Sequence, residues 1–158
     1  MTDTNGNGGA ETAPSLSALA QYLKDFSFEN PNAPRSLGPQ EKAPNISLEV
    51  NVKTQRLAEN DYAVSLFVDA RAGEGENLLF KLDLEYGGVF RLLNIPEDQI
   101  HPIVLIECPR LLFPFVRQIV ADATRDGGFP PLYIDPIDFV ALYQQKMTEA
   151  AAGGGQPN

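Results

Sequence analysis

Three stretches of this sequence alternate between apolar and polar residues, and this period of two constrains the fold more than any other feature. They span residues 46–53, 62–69 and 78–86, and a shorter run of the same kind covers residues 22–29. Successive side chains of a β-strand point to opposite faces of its sheet, so alternation indicates strands with one buried and one wet face. Such strands are typical of antiparallel sheets. We therefore predict four antiparallel strands.

The connections between these runs predict the order of the strands. Residues 58–61 and 73–76 are short and turn-like, as in hairpins. Residues 30–45 hold four prolines, at positions 31, 34, 39 and 44. Because proline cannot donate to a strand ladder, this segment is predicted to be a long crossover. Such a connection after the first strand would allow the chain to return to a non-adjacent place in the sheet, as in a Greek key.

The period becomes helical after Pro96, which precedes the acidic Glu97 and Asp98 and favours a helix start. Three prolines interrupt the following run, which predicts one long, kinked helix that ends near residue 126: Pro102, Pro109 and Pro114.

A short final helix is predicted over residues 135–147, with Asp135 as N-cap and Pro136 at its first position. Strands followed by helices indicate an α+β fold. We expect a four-stranded antiparallel, Greek-key-like sheet with the long helix and the short C-terminal helix packed on one face.

Length and composition predict one domain between two tails. The chain has 158 residues, enough to bury a core, and no apolar run long enough for a membrane span. Residues 1–18 are expected to be disordered, residues 19–147 to form the domain, and residues 148–158 to be a flexible tail. The polar N-terminus lacks the features of a secretory signal, and Cys108 is the only cysteine. Both observations predict a cytoplasmic protein.

Residues suited to catalysis are scarce. His101 is the only histidine, so neither a two-histidine metal site nor a histidine relay can form within one chain. Cys108 lies on an apolar helix beside Pro109 and is interpreted as a buried structural thiol. Carboxylates are numerous, so paired-acid chemistry remains open. We expect a binding protein without a cofactor or metal rather than an enzyme.

The charge distribution favours a protein partner. The chain holds 12 basic and 21 acidic residues, a net charge of −9. Without a basic cluster, nucleic acid and anionic membranes are poor partners. One interpretation of the odd-numbered strand positions is an ordinary wet face; the other is an acidic docking surface for a basic partner. The acids that share this parity are Asp25, Glu29, Glu49, Asp69, Asp83 and Glu85.

Apolar residues are concentrated near the end of the chain. Core packing or an oligomer interface accounts for much of this excess, while a groove between the crossover and the last helix could leave some of it accessible to a client. The concentrated residues are Phe129, Leu132, Tyr133, Ile134, Phe139, Leu142 and Tyr143, to which Leu37 and Ile46 add.

Four segments resemble, in order, the motifs of one known family. They are DFSFENPNAP (25–34), YGGVF (86–90), CPRLLFP (108–114) and GFPPL (128–132). Together they are similar to SecB, the bacterial protein-export chaperone family, over roughly residues 20–147.

This resemblance implies a homotetramer, arranged as a dimer of dimers, that uses no cofactor. Members of the family bind unfolded precursor proteins in apolar grooves, keep them translocation-competent and deliver them to the translocation ATPase SecA. The family's SecA-docking acids match Asp25, Glu29 and Asp83, and Glu85 shares their parity.

The resemblance also implies roles for apolar residues. Positions that stabilise the family's tetramer match Leu82, Leu84 and Tyr86, and an aromatic of its client groove matches Tyr143. With the apolar pattern, this gives a predicted client groove of Ile46, Leu48, Phe139, Leu142 and Tyr143.

Three departures from the family pattern bear on function. Lys42 lies where many members have a tryptophan, Lys81 replaces a leucine beside the docking acids, and the C-terminal tail is short and nearly uncharged. They imply a changed client groove and a less negative docking surface. Two other hypotheses remain open: a SecB-like holdase for a different client, such as an antitoxin, and an enzyme that uses the acidic face.

Overall fold

A single antiparallel sheet organises the protein, whose computed structural model describes residues 13–154. Its strands are β1 (Ser15–Glu29), β2 (Ile46–Arg56), β3 (Asp61–Ala72) and β4 (Phe80–Leu93). They lie in the order β1-β4-β3-β2, so the crossover leads from β1 at one edge of the sheet to β2 at the other, and β4 then pairs with β1. The predicted Greek-key-like sheet is therefore confirmed.

The core lies on one face of this sheet, under a long interrupted helix. The helix comprises α1 (Glu97–Pro102), a π-helical segment (Ile103–Glu107) and α2 (Cys108–Asp126). Leu66 and Phe90 of the sheet and Leu112 and Val116 of α2 are completely buried. The predicted interruption is confirmed and takes the form of a π-helical segment just before Pro109, where the missing proline N–H weakens the regular bonding pattern.

The last helix, α3 (Phe139–Gly154), begins four residues after the predicted start at residue 135. Asp138 supplies the cap, because its Oδ1 accepts a hydrogen bond from the backbone N–H of Ala141 at 3.0 Å. The prediction of Asp135 as N-cap is wrong. The helix also continues beyond residue 147 into the predicted tail, where three consecutive alanines favour helix.

The N-terminal boundary differs as well. Residues 15–18, assigned to a disordered tail by the sequence, belong to β1, with Ser15 paired to Leu93. Pairing along β4 gives these four residues the backbone partners that an isolated segment lacks. Residues 1–12 and 155–158 of the two predicted tails lie outside the described residues.

An irregularity in β1 reverses the side-chain parity of that strand. Tyr22 pairs with Gly87 and Phe26 with Leu84, with a register shift between Leu23 and Asp25. Phe26 therefore faces the core side, whereas Tyr22 points to the opposite side; the predicted common face for residues 22–28 is wrong at Tyr22. The Tyr22 ring covers Gly87, where a Cβ atom would lie 2.8 Å from the ring.

Candidate docking face and apolar groove

Strand pairing brings the six predicted acids to the same side of the sheet, opposite the core. Asp69 faces Glu49 on β2 and Asp83 on β4. In the next row, Asp25 faces Glu85. We call this surface the acidic face, and define it by its carboxylates: Asp25, Glu29, Glu49, Asp69, Asp83 and Glu85.

The acidic face contains a depression of about 380 Å³ with an aromatic ring in it. Phe67 lies in the same row as Asn51 and Glu85. The Nζ of Lys53 lies 4.7 Å from the centroid of the Phe67 ring. Sequence reasoning missed Phe67, although a large aromatic at a polar-parity position was a signal that could have revealed it.

Burial and the neighbouring carboxylates both raise the pKa of Asp69. Partial burial raises the pKa of this carboxyl, and hydrogen bonding with Asp83 together with the charges of Asp83 and Glu49 raises it further. Arg71 acts in the opposite direction. The negative charge is thus most concentrated where β2, β3 and β4 run side by side.

Basic residues offset part of this charge. Lys81 Nζ lies 4.0 Å from Asp83 Oδ2, and Lys24 Nζ lies 3.8 Å from Glu85 Oε2. Lys81 also faces Glu29 across the strand pair. Each pair has at least one exposed partner and contributes little to stability, so the main effect of these lysines is on the local field. Lys81 therefore makes the acidic face less negative.

An apolar groove of about 360 Å³ lies at the other side of the sheet. The crossover, the starts of β2 and β4, and the connection before α3 line it. Its floor is aromatic, with the Phe80 ring 5.9 Å from Phe28 and 5.2 Å from Phe129 between centroids. The other apolar side chains that line the groove include Leu37, Ile46, Leu79 and Leu132.

The predicted groove residues are divided by the structure. Ile46 lines the groove and is 50% exposed, and Leu48 is 40% exposed further along β2. Phe139, by contrast, is 2% exposed and packs edge-on against Phe113, so its assignment as an accessible groove residue is wrong.

Helix α3 does not form the groove wall. Leu142 and Tyr143 are partly buried against the main core, and the Tyr143 hydroxyl lies 3.4 Å from Nδ1 of His101. The connection of residues 128–132, which precedes α3, lines the groove in the place expected for that helix. Lys42 is not among the residues that line the groove.

Thr124 and Gly128 shape this connection. The buried Oγ1 of Thr124 donates to the carbonyl oxygen of Val120 at 2.9 Å and accepts from the backbone N–H of Leu132 at 2.9 Å. Gly128 has a φ of +98°, and a Cβ atom there would lie 2.7 Å from Leu37. A left-handed turn and close approach of the crossover both require glycine at this position.

The apolar residues of β4 occupy a different place from the one predicted. Leu82, Leu84 and Tyr86 are at most 9% exposed and belong to the protomer's own core. They are therefore unavailable for direct contact with another copy, because the helical layer covers this face of the sheet. The Tyr86 ring stacks on Phe115 at 5.9 Å and its hydroxyl donates to Gln21 at 3.3 Å.

Large apolar side chains are also exposed on α2 and on the edge strand β1. Leu111 and Phe115 of α2 are each 47% exposed. The large apolar residues of β1 that are exposed are Leu19, Tyr22, Leu23 and Phe26.

The reactive side chains agree with the sequence interpretation. Cys108 is fully buried. Burial, and to a lesser extent the nearby charge of Glu107, raises the pKa of its thiol to about 12. A thiol with this pKa stays protonated at neutral pH and is a poor nucleophile. Within residues 13–154, no cluster of three His, Cys, Asp or Glu side chains is suited to a metal ion. No helix in that part of the chain has the length and apolarity of a membrane span.

Comparison with known proteins identifies the family. The family model described as preprotein translocase subunit SecB matches residues 9–150. The chain belongs to the SecB family. It is 63% identical over 155 residues to the protein-export protein SecB of Beijerinckia indica subsp. indica, covering 96% of this chain and 97% of the relative. The SecB protein of Methylocella silvestris is 60% identical over 156 residues, 97% of each chain.

A solved structure shows the same fold. It is a SecB-like chaperone of Mycobacterium tuberculosis in complex with an antitoxin peptide. The TM-score is 0.58 at 15% sequence identity, with 77% of this chain and 90% of that chain covered. The resemblance inferred from the four SecB motifs is thus confirmed by both sequence and fold.

Proposed function

We propose that this protein is a cytoplasmic chaperone that binds unfolded precursor proteins, keeps them translocation-competent and delivers them to SecA. Membership of the SecB family supports a chaperone role in protein export. The observation that carries the proposal is the division of one sheet between two surfaces. An open apolar groove lies on its core side, and the acidic face lies on its other side.

The groove suits an unfolded client. Its aromatic floor and apolar rim bind side chains through area rather than through a fixed set of polar contacts, so many sequences fit. Ile46 and Leu48 extend the apolar surface along the edge strand β2. Weak binding at several such places gives useful affinity through multivalency.

Several grooves would be available in a homotetramer, arranged as a dimer of dimers. The exposed Leu111 and Phe115 on α2 and the apolar edge strand β1 support this assembly. The buried Leu82, Leu84 and Tyr86 would act on it indirectly, with Tyr86 supporting Phe115. A native mass of four times the 17.2 kDa chain mass is expected, and a stable monomer would contradict it.

The acidic face suits the delivery partner. Asp25, Glu29, Asp83 and Glu85 would attract a basic surface of SecA and accelerate its association at low salt. The Asp83 side chain is 47% exposed in an open depression. This favours docking over catalysis by a carboxylate pair, which requires an enclosed site.

The second candidate is a holdase for an antitoxin. The solved complex of the Mycobacterium tuberculosis chaperone favours it, because that protein has the same fold and holds an antitoxin peptide. Binding of SecA separates the two candidates, since only the export chaperone needs it.

The test has two arms. In the first, stoichiometric protein is expected to slow the refolding of a denatured precursor without nucleotide; unchanged refolding at saturation would refute the holding activity. In the second, Asp83→Lys is expected to abolish SecA binding, measured by calorimetry. Glu59→Lys makes the same charge change in the exposed β2–β3 turn and is expected to leave binding intact.

A further inference from the structure

Phe67 lies among charged residues on the acidic face, opposite the core. A large apolar side chain gains little stability from burial on this side of the sheet. Asp69 follows it on the same face of β3, and Glu85 lies directly opposite on β4. Glu85 is itself only 14% exposed in its side chain. The ring therefore forms the apolar base of a depression whose walls carry negative charge.

The ring already holds a cation. The ammonium of Lys53 lies over its face, 4.7 Å from the centroid. Among residues 13–154, Lys53 forms no salt bridge with a carboxylate, although Glu49 and Asp69 line the same depression. An ammonium over an aromatic face is stabilised by the ring quadrupole, and more strongly when water is excluded. Phe67 is thus a cation-binding position within the acidic face.

We propose that this depression receives a lysine or arginine side chain of the basic docking partner, over the Phe67 ring and in the place that Lys53 occupies in the free protein. The inference rests on the proposed function, in which SecA is that partner. It adds Phe67 as a specificity-determining residue and Lys53 as an internal competitor for the same place.

Shape and charge fit one basic side chain. The depression of about 380 Å³ has room for it once Lys53 has moved off the ring. Asp69, Asp83 and Glu85 supply acceptors around the ring. Gly87 lies in the row next to Phe67 and has no side chain. The Tyr22 ring covers Gly87 instead. A neutral apolar side chain would add no counter-charge to that of Lys24 and Lys81, so the site discriminates in favour of a cation.

The decisive experiment is a double-mutant cycle between Phe67 and Lys53, with SecA binding to the full-length protein measured by calorimetry at low salt. Phe67→Leu keeps an apolar side chain but removes the ring, and is expected to weaken binding on the order of tenfold. Phe67→Tyr keeps the ring face and is expected to restore most of the affinity.

Substitution of Lys53 distinguishes binding over the Phe67 ring from a general effect of net charge. Lys53→Gln is expected to strengthen binding severalfold when Phe67 is present, and by less than about twofold in the Phe67→Leu background. Equal gains in both backgrounds would show that Lys53 acts only through net charge and would overturn the inference. So would unchanged binding of Phe67→Leu while Asp83→Lys still abolishes docking, a result that leaves the proposed function standing.

A measurement without SecA tests the pocket itself. The ring resonances of Phe67, in protein labelled with ¹³C at phenylalanine, are expected to shift on titration with a peptide of alternating lysine and glycine. A matched peptide of alternating glutamine and glycine should leave them unchanged. If SecA fails to bind the wild type while the lysine peptide shifts Phe67, the docking proposal fails and the cation site stands. Unperturbed Phe67 resonances at a saturating lysine peptide would refute the site.

Discussion

Asn30 donates a hydrogen bond from Nδ2 to the carbonyl oxygen of Gly127 at 3.1 Å, across 97 positions of sequence. Its Oδ1 accepts a hydrogen bond from Oγ of Ser36 at 2.6 Å. One amide therefore joins the end of α2 to the crossover that forms the groove. Asn32 fixes the other side of the crossover by donating to the carbonyl oxygen of Leu78 at 2.8 Å. Through these contacts, Asn30 and Asn32 of the DFSFENPNAP segment hold the crossover that lines the groove.

Asn30→Ala is expected to lower the free energy of unfolding by about 1–3 kcal/mol, because it leaves the Gly127 carbonyl and the Ser36 hydroxyl without their partner. Urea denaturation monitored by circular dichroism measures the change. The control is Asn60→Ala in the exposed β2–β3 turn, for which we expect a change of less than about 0.5 kcal/mol. Equal losses in the two variants would contradict a structural role for the Asn30 amide.

Thr124→Val is expected to cost about 1–3 kcal/mol of stability, since the isosteric side chain cannot accept the hydrogen bond from the Leu132 N–H. Thr124→Ser keeps the hydroxyl, loses one buried methyl group and should cost about 1 kcal/mol. Denaturation of both variants separates hydrogen bonding from packing. If serine is as destabilising as valine, the hydroxyl does not hold the connection.

Alternation along β2, β3 and β4 was sufficient to predict the sheet and its two faces, because each of these strands keeps its parity throughout. The register of β1 could not be predicted in the same way. Its shift beyond Leu23 depends on pairing with β4, and an extra residue in a strand leaves no local signature. The alternation of apolar and polar residues around Tyr22 therefore predicted the wrong face of the sheet for this side chain.

The assignment of residues to the functional surfaces also depended on structure that the sequence pattern does not reveal. Apolar character alone could not separate Phe139, whose ring packs against Phe113 in the core, from Ile46, which lines the groove. That separation depends on where α3 begins, and the cap in the structure is Asp138 rather than Asp135. Burial of Leu82 and Leu84 likewise depends on the helix that covers β4.

Ile46→Glu is expected to weaken the binding of an unfolded client on the order of tenfold, because it places a charge on the rim of the apolar groove. A reduced, carboxymethylated protein serves as a permanently unfolded client, and fluorescence anisotropy measures its affinity. Leu57→Glu is the matched control, since Leu57 is 51% exposed against 50% for Ile46 but lies outside the groove. Equal weakening by both would show that clients bind elsewhere or through net charge.

Asp69→Asn is expected to stabilise the protein at neutral pH by about 0.5 kcal/mol, a modest figure because Asp69 is partly exposed and its repulsions are screened. Burial and the adjacent Asp83 raise the pKa of Asp69 in the folded state, so ionising this group costs stability above that pKa. As the pH falls, the wild type takes up the proton and the advantage of the variant should disappear. Urea denaturation from neutral pH to the ordinary carboxyl range measures the difference, and a constant advantage would contradict this origin.

Asp61→Asn is expected to show the opposite pH dependence. Arg91 donates from Nε to Oδ1 of Asp61 at 2.8 Å and from Nη2 to Oδ2 at 3.0 Å, which lowers the pKa of this carboxyl below its ordinary value of 3.8. A lowered pKa contributes stability that is present above the unfolded-state value and is lost as the pH falls through the folded-state value. The variant should therefore be less stable than the wild type at neutral pH, and the gap should close in acid. The same denaturation series measures both aspartates, so a gap for Asp61→Asn that widens in acid would show that the Arg91 pair does not set this pKa.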